Sequence, residues 1–576
     1  MNLFGSFHTG VSGLNTSQSA LNVTAHNLAN VETKGYVRQK AVLTDSGYIK
    51  WGQSYISPMQ TGLGAEFASL KQVRDGFLDQ AYRQETGRQA FYGFQYRAIQ
   101  EVEGLFGELE GVSFQKSLND LWISFQELVN EPDNIVARSA LIQTSVTFIE
   151  RAENISKQLN DYQINLNTQI LNQVHRINDI GDEIKTLNIR IRHYESTGIE
   201  RANDLRDQRN LLLDELSQMV DIRYKEDPQG VIDLAVEGVP FVTQDMVYYI
   251  DTIKVNEDTD MLKPVWIAHG NMDVFNFDRE ISSQNNNDIG GLKGLLLARG
   301  HRQGRYTDIP VRKDYDSESS FNMDVLDYNN KVESSLVMTV QAQFDQLIHG
   351  LVTTINDIFA PNKEVTLQDG TKAWILDEDN APVGMDSNNT AGEALFNRKS
   401  MDRYSDIQEI VIINEDGQEE IVRGRIYNGE DPADNYSLFT IGEIEVNQRI
   451  MQNYSLLPLS SNTGTGDYDM ETAREILLKW QEPFATLSPN TLTRSNFNDY
   501  YNSFISEIAN RGERLRVISS NQESMVGSID NKRLEVTGVS SDDELTNLIK
   551  YQHAYNAAAR YVNVVSEMLE HIILNM

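Results

Sequence analysis

The sequence predicts an α+β fold that is mostly α, elongated, and built from nested, discontinuous domains. Three observations carry that expectation. Apolar and small residues alternate at spacings of three and four at both ends of the chain, a longer helical series fills its first third, and short β-prone runs interrupt the helical pattern twice. Near the N-terminus the series is Leu14, Gln18, Leu21, Ala25 and Leu28. At the C-terminus it is Leu545, Leu548, Gln552, Tyr555, Ala559, Val562, Ser566, Leu569, Ile573 and Met576. A period near 3.5 keeps such positions facing one partner, as in a coiled-coil seam. Either series alone reads as an ordinary buried helix face, and Gln552 and Ser566 suit an isolated coiled coil poorly. Chain ends usually fray, so seams at both ends favour polymer contacts.

The elements follow in order. Asn30 can cap the first helix, Gly35 can supply a turn at positive φ, and Tyr36 opens an extended stretch that runs from Lys40 to about Leu70. Leu78, Tyr82, Ile99, Val102 and Phe106 mark a helix with a break at Gly87. Phe114 to Leu128 forms another apolar face that ends before Pro132. A helix from Asp133 to about Tyr194 carries Ile155, Leu159, Leu166, Ile170, Ile177, Ile184 and Ile191, a rod roughly 90 Å long at 1.5 Å per residue. Ser196-Thr197-Gly198 stops it and Ala202 to Val220 returns. Val231–Val236, Pro240–Val242 and Val247–Ile250 read as strands. Helix resumes at Gly290–Gly300, a polar surface loop covers Gln303–Ser320, and Val332 to Ile358 forms a long face closed by Pro361. Ile410–Ile413 and Ile421–Ile426 belong to a separate, outward β-rich insert. Helices return at Glu471–Trp480 and from Phe497 to about Asn531. The last starts at Ser541, where Ser541-x-x-Glu544 spells a capping box. The expected domains are 1–75 with 535–576 (terminal helical polymerisation), 76–360 with 471–534 (long-helix bundle, β region about 221–285), and the insert 361–470.

Composition narrows the function. The 576 residues hold 50 Lys plus Arg against 84 Asp plus Glu, a formal net charge of −34. Phosphate backbones and anionic lipid would be repelled by such a chain, so nucleic acid is excluded as a partner. There is no cysteine, which removes disulfides and thiol catalysis and disfavours a structural zinc site. No Lys or Arg precedes Lys34, so the start does not read as a cleavable signal. No apolar run approaches the roughly 18 residues of a membrane span.

The words around the seams are more specific than their period. Asn27-Leu28-Ala29-Asn30-Val31-Glu32-Thr33-Lys34-Gly35-Tyr36-Val37-Arg38-Gln39 resembles the N-terminal signature of the axial flagellar proteins, the rod, hook and hook-associated family. The stretch from Gly538 to Leu545, followed by Leu548-Ile549-Lys550-Tyr551-Gln552 and Ala554 to Arg560, is similar to that family's closing helix. Asn203–Asn210, Gly290–Leu296 and Leu395–Arg398 agree in the expected order. The resemblance implies a non-enzymatic structural subunit of the bacterial flagellum at the distal end of the hook, forming the junction with the filament and required for filament assembly. It implies export through the flagellum-specific channel on an uncleaved signal. The implied partners are further copies of the chain, hook protein, the next hook-associated protein toward the filament, and a cytoplasmic export chaperone on the C-terminal helix. Leu14, Leu21, Leu28, Leu545, Leu548, Tyr555, Ala559, Val562, Leu569 and Ile573 are the expected assembly seam. Asn27, Asn30, Gly35, Tyr36, Arg38 and Gln39 are the expected N-terminal motif.

Catalysis finds little support, and no cofactor is expected. None of the nine histidines precedes Glu, and no Gly-Lys dipeptide occurs, so zinc-protease and Walker motifs are absent. Asp258 with Asp260, and Asp377 with Asp379, lack EF-hand spacing and read as solvated loop carboxylates. Arg299, His301, Arg302, Arg305, Tyr306, Arg312 and Lys313 read as a surface loop, with an intersubunit salt-bridge surface as the functional alternative. The rival readings are a hook or distal-rod subunit and an axial protein whose insert is an enzyme.

Overall fold

The computed structural model describes residues 3–52, 59–107, 113–198, 201–257, 259–413, 418–460 and 470–574. Helix α1 (Leu3–Ala29) leads through a turn into two antiparallel ribbons: strand β1 (Gln39–Asp45) encloses the hairpin of β2 (Tyr48–Gly52) and β3 (Met59–Gly62) and pairs with β4 (Ala65–Gln72). Helices α2 (Gly76–Phe106), α3 (Phe114–Asn130) and α4 (Ile135–Glu195) follow. Each starts on a side-chain cap, from Asp75, Ser113 and Asn134 respectively, that accepts backbone N–H groups the first turn leaves free. The 61 residues of α4 make a rod about 90 Å long, and α5 (Asn203–Met219) folds back along it.

Two small sheets dress the far part of α4. One runs β5 (Ile222–Glu226), β6 (Ile232–Val236), β7 (Val239–Val242); the other is β8 (Ile250–Lys254), β9 (Leu262–Trp266), β10 (Met272–Asp273). Two α4 asparagines hold them by pairing with strand backbone in both directions. Asn178 Nδ2 donates to the Ile250 carbonyl at 2.8 Å while its Oδ1 accepts the Ile250 N–H at 3.1 Å, and Asn188 treats Ile232 alike at 2.9 and 3.2 Å. The strand expected from Val247 begins only at Ile250, since Val247 makes a single bridge to Val242.

Next come α6 (Gly291–Arg299), α7 (Glu318–Tyr328) and α8 (Leu336–Phe359). Helix α6 crosses α2 closely because Gly294 has no Cβ; one added there would sit 2.6 Å from the Phe91 carbonyl oxygen. The segment beyond Phe359 forms a sheet of order β12 (Lys372–Leu376), β11 (Asn362–Leu367), β14 (Gln408–Ile413), β15 (Glu419–Gly424), and a ribbon of β13 (Phe396–Arg398) with β16 (Ile444–Val446). Short α9 (Gln448–Gln452), then α10 (Glu471–Gln481), α11 (Phe497–Thr537) and α12 (Ser541–Leu574) complete the chain. The body core is aromatic at its centre: Phe344 lies 5.3 Å from Phe106 and 5.0 Å from Phe114, both edge-on.

Several expectations are corrected. Helix α2 passes through Gly87 unbroken. That glycine serves close approach, for an added Cβ would lie 2.6 Å from the Ser217 carbonyl and from Ile289. Helix α11 continues to Thr537 rather than ending near Asn531. The segment 361–470 does not pack as a separate unit. Phe396, Phe439, Ile444, Ile450 and Leu457 join the helical core, Asn356 of α8 pairs with the Phe396 backbone at 2.8 and 3.0 Å, and Arg138 of α4 donates to the Leu457 carbonyl at 2.8 Å.

The basic stretch 299–313 faces inward for most of its length. Arg299 is buried and bonds Asn167, and Arg302 pairs with Asp308. The Tyr306 hydroxyl donates to Glu430 at 2.7 Å, and its ring stacks on His349 at 3.7 Å. Burial alone would raise the Glu430 carboxyl, but the His349 contact, the Phe439 N–H and the Tyr306 hydroxyl outweigh it and hold it at about 2. Only Arg312 and Lys313 of that stretch are exposed. Asp258 lies outside the described residues. Asp260 pairs with Lys254, and Asp377 and Asp379 pair with Lys363.

Phe344→Ala should cost about 3–5 kcal/mol by emptying the aromatic centre, whereas Trp374→Ala, at a half-exposed site, should stay within about 0.5 kcal/mol. Urea denaturation midpoints of the two variants check this contrast.

Candidate assembly site at the paired termini

The two ends of the chain lie against each other. Gly10 of α1 sits against Val562 and Tyr561 of α12, Gly13 against Ala558, and Asn27 against Glu544, so the helices run antiparallel. The face of α1 turned inward is small and polar: Thr16, Ser17, Ala20, Thr24 and Asn27 are buried. A Cβ at Gly10 would fall 2.7 Å from the Val562 side chain, so glycine there lets the backbones close up.

The expected seam lines this contact unevenly. Leu14, Leu21 and Leu28 are half-buried, as are Leu548, Tyr555, Ala559, Val562 and Leu569, while Leu545 and Ile573 are 46% and 71% exposed. Met576 lies outside the described residues. Weighting apolar residues favoured the leucine stripe of α1. The signal that identifies the inward face is the neighbouring series Gly10, Gly13, Ser17, Ala20, Thr24, Asn27, at the same three-and-four spacing but one position earlier.

The motif behind α1 folds around one side chain. Asn27 Oδ1 accepts the Tyr36 hydroxyl at 2.7 Å and the Gln39 N–H at 3.0 Å, while its Nδ2 donates to the Gln39 carbonyl at 2.8 Å and to Glu544 at 3.2 Å. Asn30 ends the helix, its amide donating to the His26 carbonyl at 2.9 Å and its Oδ1 accepting Thr33 at 3.2 Å. Gly35 takes φ +81°, and a Cβ there would meet Leu211 of α5 at 2.6 Å. Arg38 Nε donates to Glu544 at 2.8 Å, its N–H donates to the Thr537 carbonyl at 2.9 Å, and its carbonyl accepts from Val73 at 2.8 Å. Burial, then the charges of Asp204, Asp207 and Glu544, push the Tyr36 phenol well above its usual range, so it stays a donor.

Glu544 was expected to close a capping box with Ser541. Instead Ser540 caps the helix, its Oγ accepting the Asp543 N–H at 3.3 Å, and the Glu544 carboxylate turns to α1 and Arg38. The long-range contact gives the carboxylate two donors at once, where the box would give it one.

The motif also rests on the body, through the stretch 203–210. Asp207 accepts the Val37 N–H at 3.2 Å and Gln72 Nε2 at 2.7 Å. Burial raises its carboxyl to about 7, with the Val37 N–H, Arg74 and Gln72 only partly opposing it. Arg209 is buried and donates to Asn188 at 2.9 Å and to the Gly230 carbonyl at 2.6 Å. Beneath, Asp214 of α5 receives Arg83 of α2 at 2.7 Å and Arg533 of α11 at 2.5 Å, and Arg533 reaches Asp79 at 3.2 Å. Among the described residues no cluster of His, Asp or Glu is arranged to hold a metal ion, and no helix is long and apolar enough to cross a membrane.

Paired terminal helices joined by such a turn to a long-helix body are the frame in which the sequence comparisons fall. Residues 99–371 match the family model of the flagellar hook-associated protein FlgK helical domain, 7–36 the flagella basal body rod protein model, and 530–576 the flagellar basal body rod FlgEFG protein C-terminal model. Flagellar hook-associated protein 1 of Bacillus subtilis is 25% identical over 100% of this chain and 98% of its own length. That of Escherichia coli is 21% identical over 98% of each. The structure of the flagellar hook junction protein FlgK from Burkholderia pseudomallei shares the fold, with a TM-score of 0.52 and 13% identity over 80% of this chain and all of that one. The chain is thus similar to flagellar hook-associated protein 1 along its whole length and carries the helical-domain model of that protein over residues 99–371.

Gly35→Val should lower stability and assembly more than Gly370→Val, because Gly370 has a similar φ of +83° but open space around it. Equal losses in denaturation midpoint and swarming would leave backbone strain as the whole effect. Asp207 supplies a pH test. With a folded value near 7 above the ordinary 3.8, its contribution is fully present below about pH 4 and is lost as pH rises through about 7. Asp207→Asn should therefore flatten the stability profile between those limits, measured by urea unfolding at each pH.

Proposed function

We propose that this protein forms the junction between hook and filament and is required for filament assembly. The observation that carries the reading is the state of α12. Of its 34 residues only Glu544 and Val565 are buried, and Leu545, Ile549, Tyr561, Val564, Met568, Ile572, Ile573 and Leu574 stand exposed. An apolar surface of that length on a soluble chain marks an interaction face. Its occupants in this reading are the terminal helices of neighbouring copies, with hook protein on one side and the next hook-associated protein on the other. Residues 1–75 with 535–576 serve as the polymerising domain, and 76–360 with 471–534 form the body onto which the segment 361–470 packs. Leu14, Leu21, Leu28 and the α12 seam supply the contacts.

The same exposure suits export. Before assembly the C-terminal helix is free for a cytoplasmic chaperone, the chain leaves through the flagellar channel, and the termini gain their full burial on joining the polymer, so ordering is coupled to binding. The role is structural and has no catalytic step.

Deleting the gene in its flagellated host tests the reading. It predicts bare hooks, no filaments and flagellin in the medium. Normal filaments would overturn it, and loss of the hooks themselves would place the protein in the rod or hook.

A further inference from the structure

The contact between α1 and α12 holds one charged group in its interior. Glu544 is 2% exposed, and its two oxygens take Arg38 Nε at 2.8 Å and Asn27 Nδ2 at 3.2 Å. The rest of the pair carries little information about alignment. Leu548, Tyr555, Val562 and Leu569 repeat every seven residues, and Gly10, which lies against Val562, presents no side chain that would select one of the four. A slide of one heptad, about 10 Å along the axis, would again set an apolar residue at each facing position. It would not rebuild the polar contact. Asn27 and Arg38 would then face Tyr551 or, for a slide the other way, the turn that precedes α12, and the carboxylate would lose both partners.

We infer that Glu544 is the register key of the terminal helix pair, acting as a positioning residue that admits one alignment of α12 on α1. A buried polar group that fixes register in an otherwise permissive seam is the best-attested use of such groups. Glu544 is free for this because Ser540 caps α12 without it. The inference concerns the helix pair within one chain and does not depend on where in the flagellum the protein acts.

The chain has no cysteine, so introduced pairs report alignment directly. A Cβ at Gly13 lies 3.7 Å from the Ala558 Cβ, within disulfide reach. Full-length protein carrying Gly13→Cys with Ala558→Cys reads the native register; Gly13→Cys with Tyr551→Cys or with Val565→Cys reads a slide of one heptad either way. In the parent background only the 13–558 pair should oxidise. Glu544→Leu should lower the 13–558 yield relative to the slid pairs by at least about tenfold, since a heptad slide then no longer strands a buried carboxylate. The charge exchange Arg38→Glu with Glu544→Arg should restore it. If 13–558 stays dominant in Glu544→Leu, or the exchange fails to restore it, the inference is overturned. Oxidation yields in purified protein are independent of filament formation, so this outcome is separate from that of the gene deletion.

Discussion

Helix α12 packs chiefly on α1, while α1 also rests on the ribbon strands β1, β3 and β4, and this unequal support limits what the ends of the chain can hide. On α1 the hidden stripe is made of glycine, serine, threonine, alanine and asparagine, which brings the backbones together but buries little apolar area. On α12 it is narrower still, with two buried residues in 34. At about 25 cal/mol per Å² of apolar surface removed from water, a pair so sparingly buried gains little by itself. Within the chain, the terminal segment gains further support from the ribbon packed on α1 and from polar contacts that tie it to the body.

The polar ties converge on a small region. Asn27 reads the backbone of Gln39, Arg38 joins the start of α12 through Glu544 and the end of α11 through the Thr537 carbonyl, and Asp207 receives the turn from the body side. Helices α2, α5 and α11 are locked to one another just beneath by Asp214, Arg83, Arg533 and Asp79. Terminal pairing, the turn and the body are therefore one connected hydrogen-bonded unit. A neighbour that presses on the exposed side of α12 acts on a helix anchored at its first turn. The rest of that helix, from Leu545 to Leu574, is available to the neighbour.

Much of the fold was legible because it obeys simple periods. The 61-residue helix announces itself by isoleucine and leucine at three-and-four spacing, and the mostly helical class follows from that and the terminal seams. What could not be read was whatever depends on distant partners. Gly87 looks like a helix breaker until Ser217 and Ile289 are seen against it. Arg299, Arg302 and Tyr306 look like surface because single residues do not reveal Asn167, Asp308 and Glu430. The segment 361–470 looks independent because its strands are local, whereas Phe396 and Phe439 enter a core made by residues far away in sequence. At the terminal pair, the motif words name residues that the structure brings together but do not show how they bond. Glu544 obeys a local capping rule on paper and makes a contact distant in sequence in the structure, where Asn27 and Arg38 take its carboxylate.

The central claim is that the outer face of the terminal pair is open in the monomer and closed by neighbours in the flagellum. Single cysteines placed at Leu545 and at Ile573 of the cysteine-free chain measure it directly, by maleimide labelling of the purified monomer and of isolated hook–filament structures. The account predicts rapid labelling in the monomer and strong protection at both positions after assembly. Labelling at the same rate in both states would contradict it and would move the polymer contact elsewhere on the molecule.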